Sequence, residues 1–88
     1  SDVYKRQDKY MCSWGAGTAA RAQELKLSGV SLYAARQKIQ TIKFSKSWMR
    51  MMAMGITEQT YDSRSRLKPD VIRQSFYQDC LRYKVARK

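Results

Sequence analysis

Cys12-Ser13-Trp14-Gly15-Ala16-Gly17-Thr18-Ala19-Ala20-Arg21-Ala22-Gln23 reads as a helix made largely of small side chains. Cys12, Ala16, Ala19 and Gln23 fall along one stripe, and Trp14, Thr18, Ala22 and Leu25 along the neighbouring one. Gly15, Ala16, Ala19 and Ala20 carry so little bulk that a second helix can come close, and interaxial distance depends on the side chains at the contact. The spacing predicts a first helix from about Lys9 or Met11 to Leu27. Ser28-Gly29 ends it, with Gly29 free to take the left-handed conformation after a helix C-terminus.

Three more helices follow from the same reasoning. Ser31 is a natural N-cap, with Val30 before it placed to staple onto Ala35. Leu32, Ala35, Ile39 and Ile42 then form one buried stripe, while Arg36, Lys38 and Lys43 face out. Phe44 to Ser47 is a short connection, with Ser47 expected to cap a third helix that starts at Trp48. Trp48, Met52, Ile56 and Gln59 hold a stripe across Gly55, so this helix is expected to continue to about Tyr61 despite the roughly 1 kcal/mol that an interior glycine costs. Asp62 to Lys68 is polar, basic and loop-like. Pro69 suits the first position of a fourth helix and Asp70 its positive end. Ile72, Phe76, Cys80, Tyr83 and Ala86 step along one face of it, opposite Arg73, Gln74, Gln78 and Arg82. Short links between helices imply antiparallel neighbours, so the expected fold is all-α, a small antiparallel four-helix bundle.

Glycine is sparse and Pro69 is the single proline, which favours helix over sheet. A chain of 88 residues makes one domain and buries only about 60–65% of its unfolded surface, so a staple or a partner matters to it. No apolar run approaches the roughly 20 residues that cross a bilayer. The formal charge is +11, which draws the chain to anything acidic, whether an acidic protein, an anionic surface or nucleic acid. Its basic residues, among them Arg21, Lys26, Arg36, Lys43, Arg50, Arg64, Arg66, Arg73 and Arg82, are spread over the whole chain. Only Arg82, Lys84, Arg87 and Lys88 form a local cluster, which also complements a helix dipole.

Cys12 and Cys80 lie early in the first helix and late in the last, each on an apolar stripe. In an antiparallel bundle those ends can meet. A bridge would close a loop of 69 residues and stabilise by roughly 4 kcal/mol. The alternative is two buried free thiols acting as small hydrophobes. A bridge implies an oxidising compartment, periplasmic or secreted, whereas free thiols fit a cytoplasmic location.

Two resemblances bear on the chain. Ser1-Asp2-Val3-Tyr4-Lys5-Arg6-Gln7 resembles the translated end of a transposon-type sequencing adapter: TCA GAT GTG TAT AAG AGA CAG reads S-D-V-Y-K-R-Q without a mismatch. Residues 1–7 are therefore expected to be an adapter-derived, metagenomic scar, with any signal peptide lost, and residues 8–88 the single helical domain. The tail Leu67-Lys68-Pro69-Asp70-Val71-Ile72-Arg73-Gln74-Ser75-Phe76-Tyr77-Gln78-Asp79-Cys80 resembles the last helix of small exported bacterial all-helical proteins that carry one early and one late cysteine. Cys12, the alanine-rich first helix and Gly29-Val30-Ser31 fit the same layout. The resemblance implies export and a helical fold, and it brings no assigned activity.

Familiar catalytic patterns do not arise. The chain has no histidine, the commonest general base and metal ligand. Two distant cysteines give no zinc spacing, and there is no phosphate-binding glycine loop. Glu24, Glu58, Asp62, Asp70 and Asp79 show no pairing on one face. No cofactor, metal or catalytic residue is expected, and enzymatic activity is not the reading. The segment from Arg21 to Ile42 is similar to a helix-turn-helix, but Glu24 and Lys38 stand where that motif needs apolar residues. The methionine run, Met49, Met51, Met52 and Met54, reads as core filling or as an adaptable binding groove. Trp48, Arg50, Arg73 and Tyr77 form the candidate contact surface, since aromatic and arginine side chains dominate interfaces. The expectation is a non-enzymatic exported protein that binds or plays a structural part. Its alternative is a cytoplasmic, phage- or plasmid-type basic protein on nucleic acid.

Overall fold

The computed structural model describes residues 2–86, with side chains for 7–83. Four helices follow in chain order: α1 (Asp2–Leu27), α2 (Leu32–Gln40), α3 (Ser47–Asp62) and α4 (Pro69–Ala86). The chain is an all-α four-helix bundle, as its periodicity implies.

Helix α1 begins at Asp2 rather than at Lys9 or Met11. No glycine or proline interrupts the segment before Lys9, and extending an existing helix is far easier than starting one. At its other end Val30 N–H bonds Leu25 O (3.0 Å) and Gly29 N–H bonds Lys26 O (3.1 Å). This is a Schellman turn around Gly29, whose φ of +85° is the one positive value among the described residues. Ser31 caps α2 by accepting from Ala34 N–H at 3.1 Å.

Two expectations at helix ends need correction. Helix α2 stops at Gln40, where Thr41 Oγ1 donates to Lys38 O at 2.7 Å, so Ile42 falls beyond the helix and is 46% exposed rather than buried. Ser47 does not cap α3. It is the first helical residue, Lys46 holds the N-cap position, and no side chain caps that end. Helix α3 does run through Gly55, but its buried face is turned relative to the expected stripe. Met49, Ala53, Ile56 and Thr57 are buried, Trp48 and Met52 are half-buried, and Gln59 is exposed. Met51 is fully turned to solvent, so the methionine run is split between core and surface. On α4, Ile72, Phe76 and Cys80 are half-buried and Tyr83 is exposed. The Ala86 side chain lies outside the described residues.

The helices alternate in direction. Cys12 meets Cys80 at one end of the α1–α4 pair and Gln23 reaches Leu67 at the other, so these two run antiparallel. Arg50 bonds Gln40 O while Tyr61 donates to Val30 O, which sets α2 antiparallel to α3. Trp14 stacks on Trp48 and Lys26 reaches Thr60 O, so α1 and α3 are parallel and in direct contact. The cross-section is therefore a sheared rhombus rather than a square. Helix α1 packs against both α4 and α3, and α2 packs mainly against α3.

Small residues make that arrangement possible. Ala16, Ala19, Ala20 and Ala22 are each 2% exposed. A Cβ at Gly15 would sit 2.7 Å from both Met52 Cε and Phe76 Cε1, so side chains of α3 and α4 converge where Gly15 has none. The Cys12–Cys80 disulfide then locks α1 to α4, with Cα atoms 5.6 Å apart across a sequence separation of 68.

The 63–68 loop is tied down by α1 itself. Gln23, 1% exposed, donates from Nε2 to Ser65 O (3.1 Å) and Leu67 O (2.8 Å). Lys26 Nζ donates to Thr60 O, Ser63 O and Ser65 O at 2.9–3.0 Å, placing its charge on the negative end of α3. Tyr61 is held at that same end by its 2.7 Å bond to Val30 O, and burial raises its pKa above the ordinary phenol value.

Two stability outcomes are expected. Reducing the Cys12–Cys80 bridge lowers unfolding free energy by about 4 kcal/mol, read from urea transitions with and without reductant. Gly17→Ala, which meets nothing within 4 Å, raises stability by up to about 1 kcal/mol. Gly15→Ala has the same propensity gain but collides with Met52 and Phe76, and it falls below Gly17→Ala by about 1–3 kcal/mol in the same assay.

Candidate ligand-binding cleft

Because α2 leans on α3 rather than α1, a cleft of about 390 Å³ opens between the three helices. The α1 stripe of Trp14, Thr18, Ala22 and Leu25 forms one wall of it. Ile39, Ile42 and Phe44 line the side of α2 and the following loop, and Ala53 and Thr57 come from α3. Ser13, Gly17 and Arg21 complete the lining. The walls are overwhelmingly apolar, and Arg21 is the one charged lining residue.

Its upper wall is fixed by an aromatic ladder. Tyr10, Trp48, Trp14 and Phe44 meet edge to face in sequence, with ring centroids 6.2, 5.4 and 6.1 Å apart. Arg50 clamps the loop that carries Ile42 and Phe44. Its guanidinium donates to Gln40 O (3.1 Å) and Ile42 O (2.9 Å) and lies 5.3 Å from the centre of the Phe44 ring.

Polar groups inside the cleft are few. Thr18 Oγ1 donates to Trp14 O at 3.0 Å. Thr57, 2% exposed, adds a second threonine to the lining. Among the described residues no carboxylate or thiol lines the cleft, which offers apolar burial, hydroxyls and one guanidinium.

Other hollows are less developed. A more open one of about 530 Å³ is lined by Leu32, Glu58, Gln59, Tyr61 and Asp62, where Glu58 pairs with Arg36 at 3.6 Å. No three metal-ligating side chains gather among the described residues.

The four expected contact residues fall in two places. Trp48 and Arg50 stand at the start of α3, Trp48 inside the aromatic ladder with a small hollow beside it and Arg50 on the loop carbonyls. Arg73 and Tyr77 line a shallow depression of about 250 Å³ on the α1–α4 seam with Ser13, Ala16 and Gln74. The cleft itself was not foreseen. Trp14, Thr18, Ala22 and Leu25 were legible as a stripe, but nothing in their spacing separates a filled seam from an open one.

No family model, no curated protein and no solved structure matches the chain.

Arg50→Ala frees the loop that walls the cleft. Hydrogen exchange at the amides of Ile42 and Phe44 is expected to quicken, with a loss of only about 1 kcal/mol in global stability because the bonds are exposed. Unchanged exchange would assign Arg50 no part in holding that wall.

Proposed function

We propose that the chain is a small exported helical protein that acts by binding, its cleft held open on a disulfide-stapled frame. The observation that carries this reading is the bridge between the first and last helices. A long-loop disulfide is stable in an oxidising compartment, periplasmic or extracellular, and a domain this small gains much of its stability from one. No described helix is long and apolar enough to cross a membrane. Binding, rather than chemistry, suits a cleft whose lining holds no acid–base pair.

Nucleic acid is the rival partner, argued from the +11 charge. Some of the basic side chains are engaged within the chain, while Lys38, Lys43, Lys46, Arg64, Arg66 and Arg73 are exposed. Lys26 is spent on three carbonyls and Arg50 on two. Arg21, Arg36 and Arg82 each stand beside a carboxylate, Glu24, Glu58 and Asp79. Of the C-terminal cluster, the Lys84 side chain, Arg87 and Lys88 lie outside the described residues.

Directing the chain to the bacterial periplasm or keeping it in the cytoplasm tests the reading. Maleimide labelling is expected to find no free thiol in the periplasmic form. The cytoplasmic form is expected to be reduced, to melt at lower temperature and to accumulate poorly. Equal accumulation and equal melting of the reduced form, with DNA binding that persists above about 200 mM salt, would favour the cytoplasmic alternative.

A further inference from the structure

We infer that the cleft between α1, α2 and α3 takes one single-chain anionic amphiphile, of the class of a free long-chain carboxylate. The alkyl tail lies along the Trp14–Leu25 stripe and the carboxylate sits at Arg21. The inference deepens the reading that this protein acts by binding.

Shape and lining argue for the tail. At 1.5 Å per residue, α1 runs about 10 Å from Arg21 back to Trp14, a stretch of trough suited to an extended chain reached by the long Arg21 side chain. The cleft's volume of about 390 Å³ lies within the range of about 300–1,000 Å³ usual for small-molecule sites. Ile42, 46% exposed at its edge, is a large aliphatic side chain that a bound alkyl chain would cover.

Charge argues for the head. Arg21 is the one charged lining residue, and Lys43 stands exposed in the chain between the lining residues Ile42 and Phe44. Arg21 uses Nη1 on Glu24 at 2.8 Å, both side chains more than half exposed, and a guanidinium has further N–H donors for a second carboxylate. A cationic amphiphile would meet a chain of charge +11, whereas an anionic one is drawn to it. Thr57, which also lines the cleft, offers a hydroxyl as a further polar group.

The test uses the oxidised 88-residue chain and dodecanoate as probe. Trp14 and Trp48 are its two tryptophans, so Trp48→Phe leaves Trp14 as the single reporter in the cleft wall. A bromine-bearing dodecanoate is expected to quench Trp14 saturably at one site per chain. Decanoate should bind roughly tenfold more weakly, as two methylenes fewer are buried. Calorimetry on the chain without substitution should give the same single site.

Gly17→Leu fills the trough from a position with nothing within 4 Å of its Cβ, and it should weaken binding at least tenfold without lowering the melting temperature. Arg21→Gln should weaken dodecanoate several-fold and leave dodecanol unchanged. The inference is overturned by non-saturable quenching, by undiminished binding in folded Gly17→Leu, or by quenching that appears only with phosphatidylglycerol vesicles, which marks adsorption to a lipid surface. Dimerisation that blocks Trp14 without ligand would assign the cleft to a second copy and overturn it equally. A cytoplasmic, reduced protein that still binds dodecanoate refutes the export reading alone. An exported, oxidised protein that does not bind refutes this inference alone.

Discussion

Helix α1 touches α4 along one face and α3 along another, and the rest of the bundle depends on how closely it lets them approach. Gly15 is where this constraint is tightest, with Met52 and Phe76 converging on the space that a Cβ would take. The alanines at positions 16, 19, 20 and 22 extend the same narrow seam along the helix. Parallel helices α1 and α3, diagonal in a square bundle, are thereby brought into contact. Helices α2 and α4 are left on opposite sides, where α2 covers α3 more than α1. The open cleft is the counterpart of this shear: the side on which α1 is locked to α4 by Cys12–Cys80 is closed, and the side facing α2 is not.

A bundle with so thin a core leans on directional contacts. Lys26 and Gln23 turn two polar residues of α1 into clamps for the 63–68 loop, and Arg50 does the same for the loop after α2. The positive charges at Lys26 and Arg50 satisfy backbone carbonyls at helix ends, where the peptide dipoles make a cation favourable. Part of the charge of +11 thus has a structural role at Lys26 and Arg50.

Helix order, three of the four helix starts to within a residue, the Gly29 turn and the Cys12–Cys80 pairing were legible because each rests on local rules or on simple topology: periodicity, capping, and two helix ends that an antiparallel chain brings together. Errors fell where distant groups compete for backbone atoms. Ile42 continues the 3-4-3 pattern of α2, yet Arg50, eight residues on, takes the carbonyls of Gln40 and Ile42 beyond the helix end. Hydrophobic spacing marks α1 only from about Lys9 or Met11, whereas helix propagation needs no apolar stripe and carries the helix back to Asp2.

By itself the sequence determined that the chain is all-α, where its helices turn, that α1 can be approached closely and that its cysteines can meet. Local propensity and periodicity suffice for those. The tertiary structure alone decided that α1 and α3 lie together, that Lys26 faces carbonyls rather than solvent, and that the Trp14–Leu25 stripe borders a cleft instead of a filled seam. Those outcomes depend on the rotation and separation of whole helices, set by the summed volumes of side chains far apart in the chain, which no local spacing encodes.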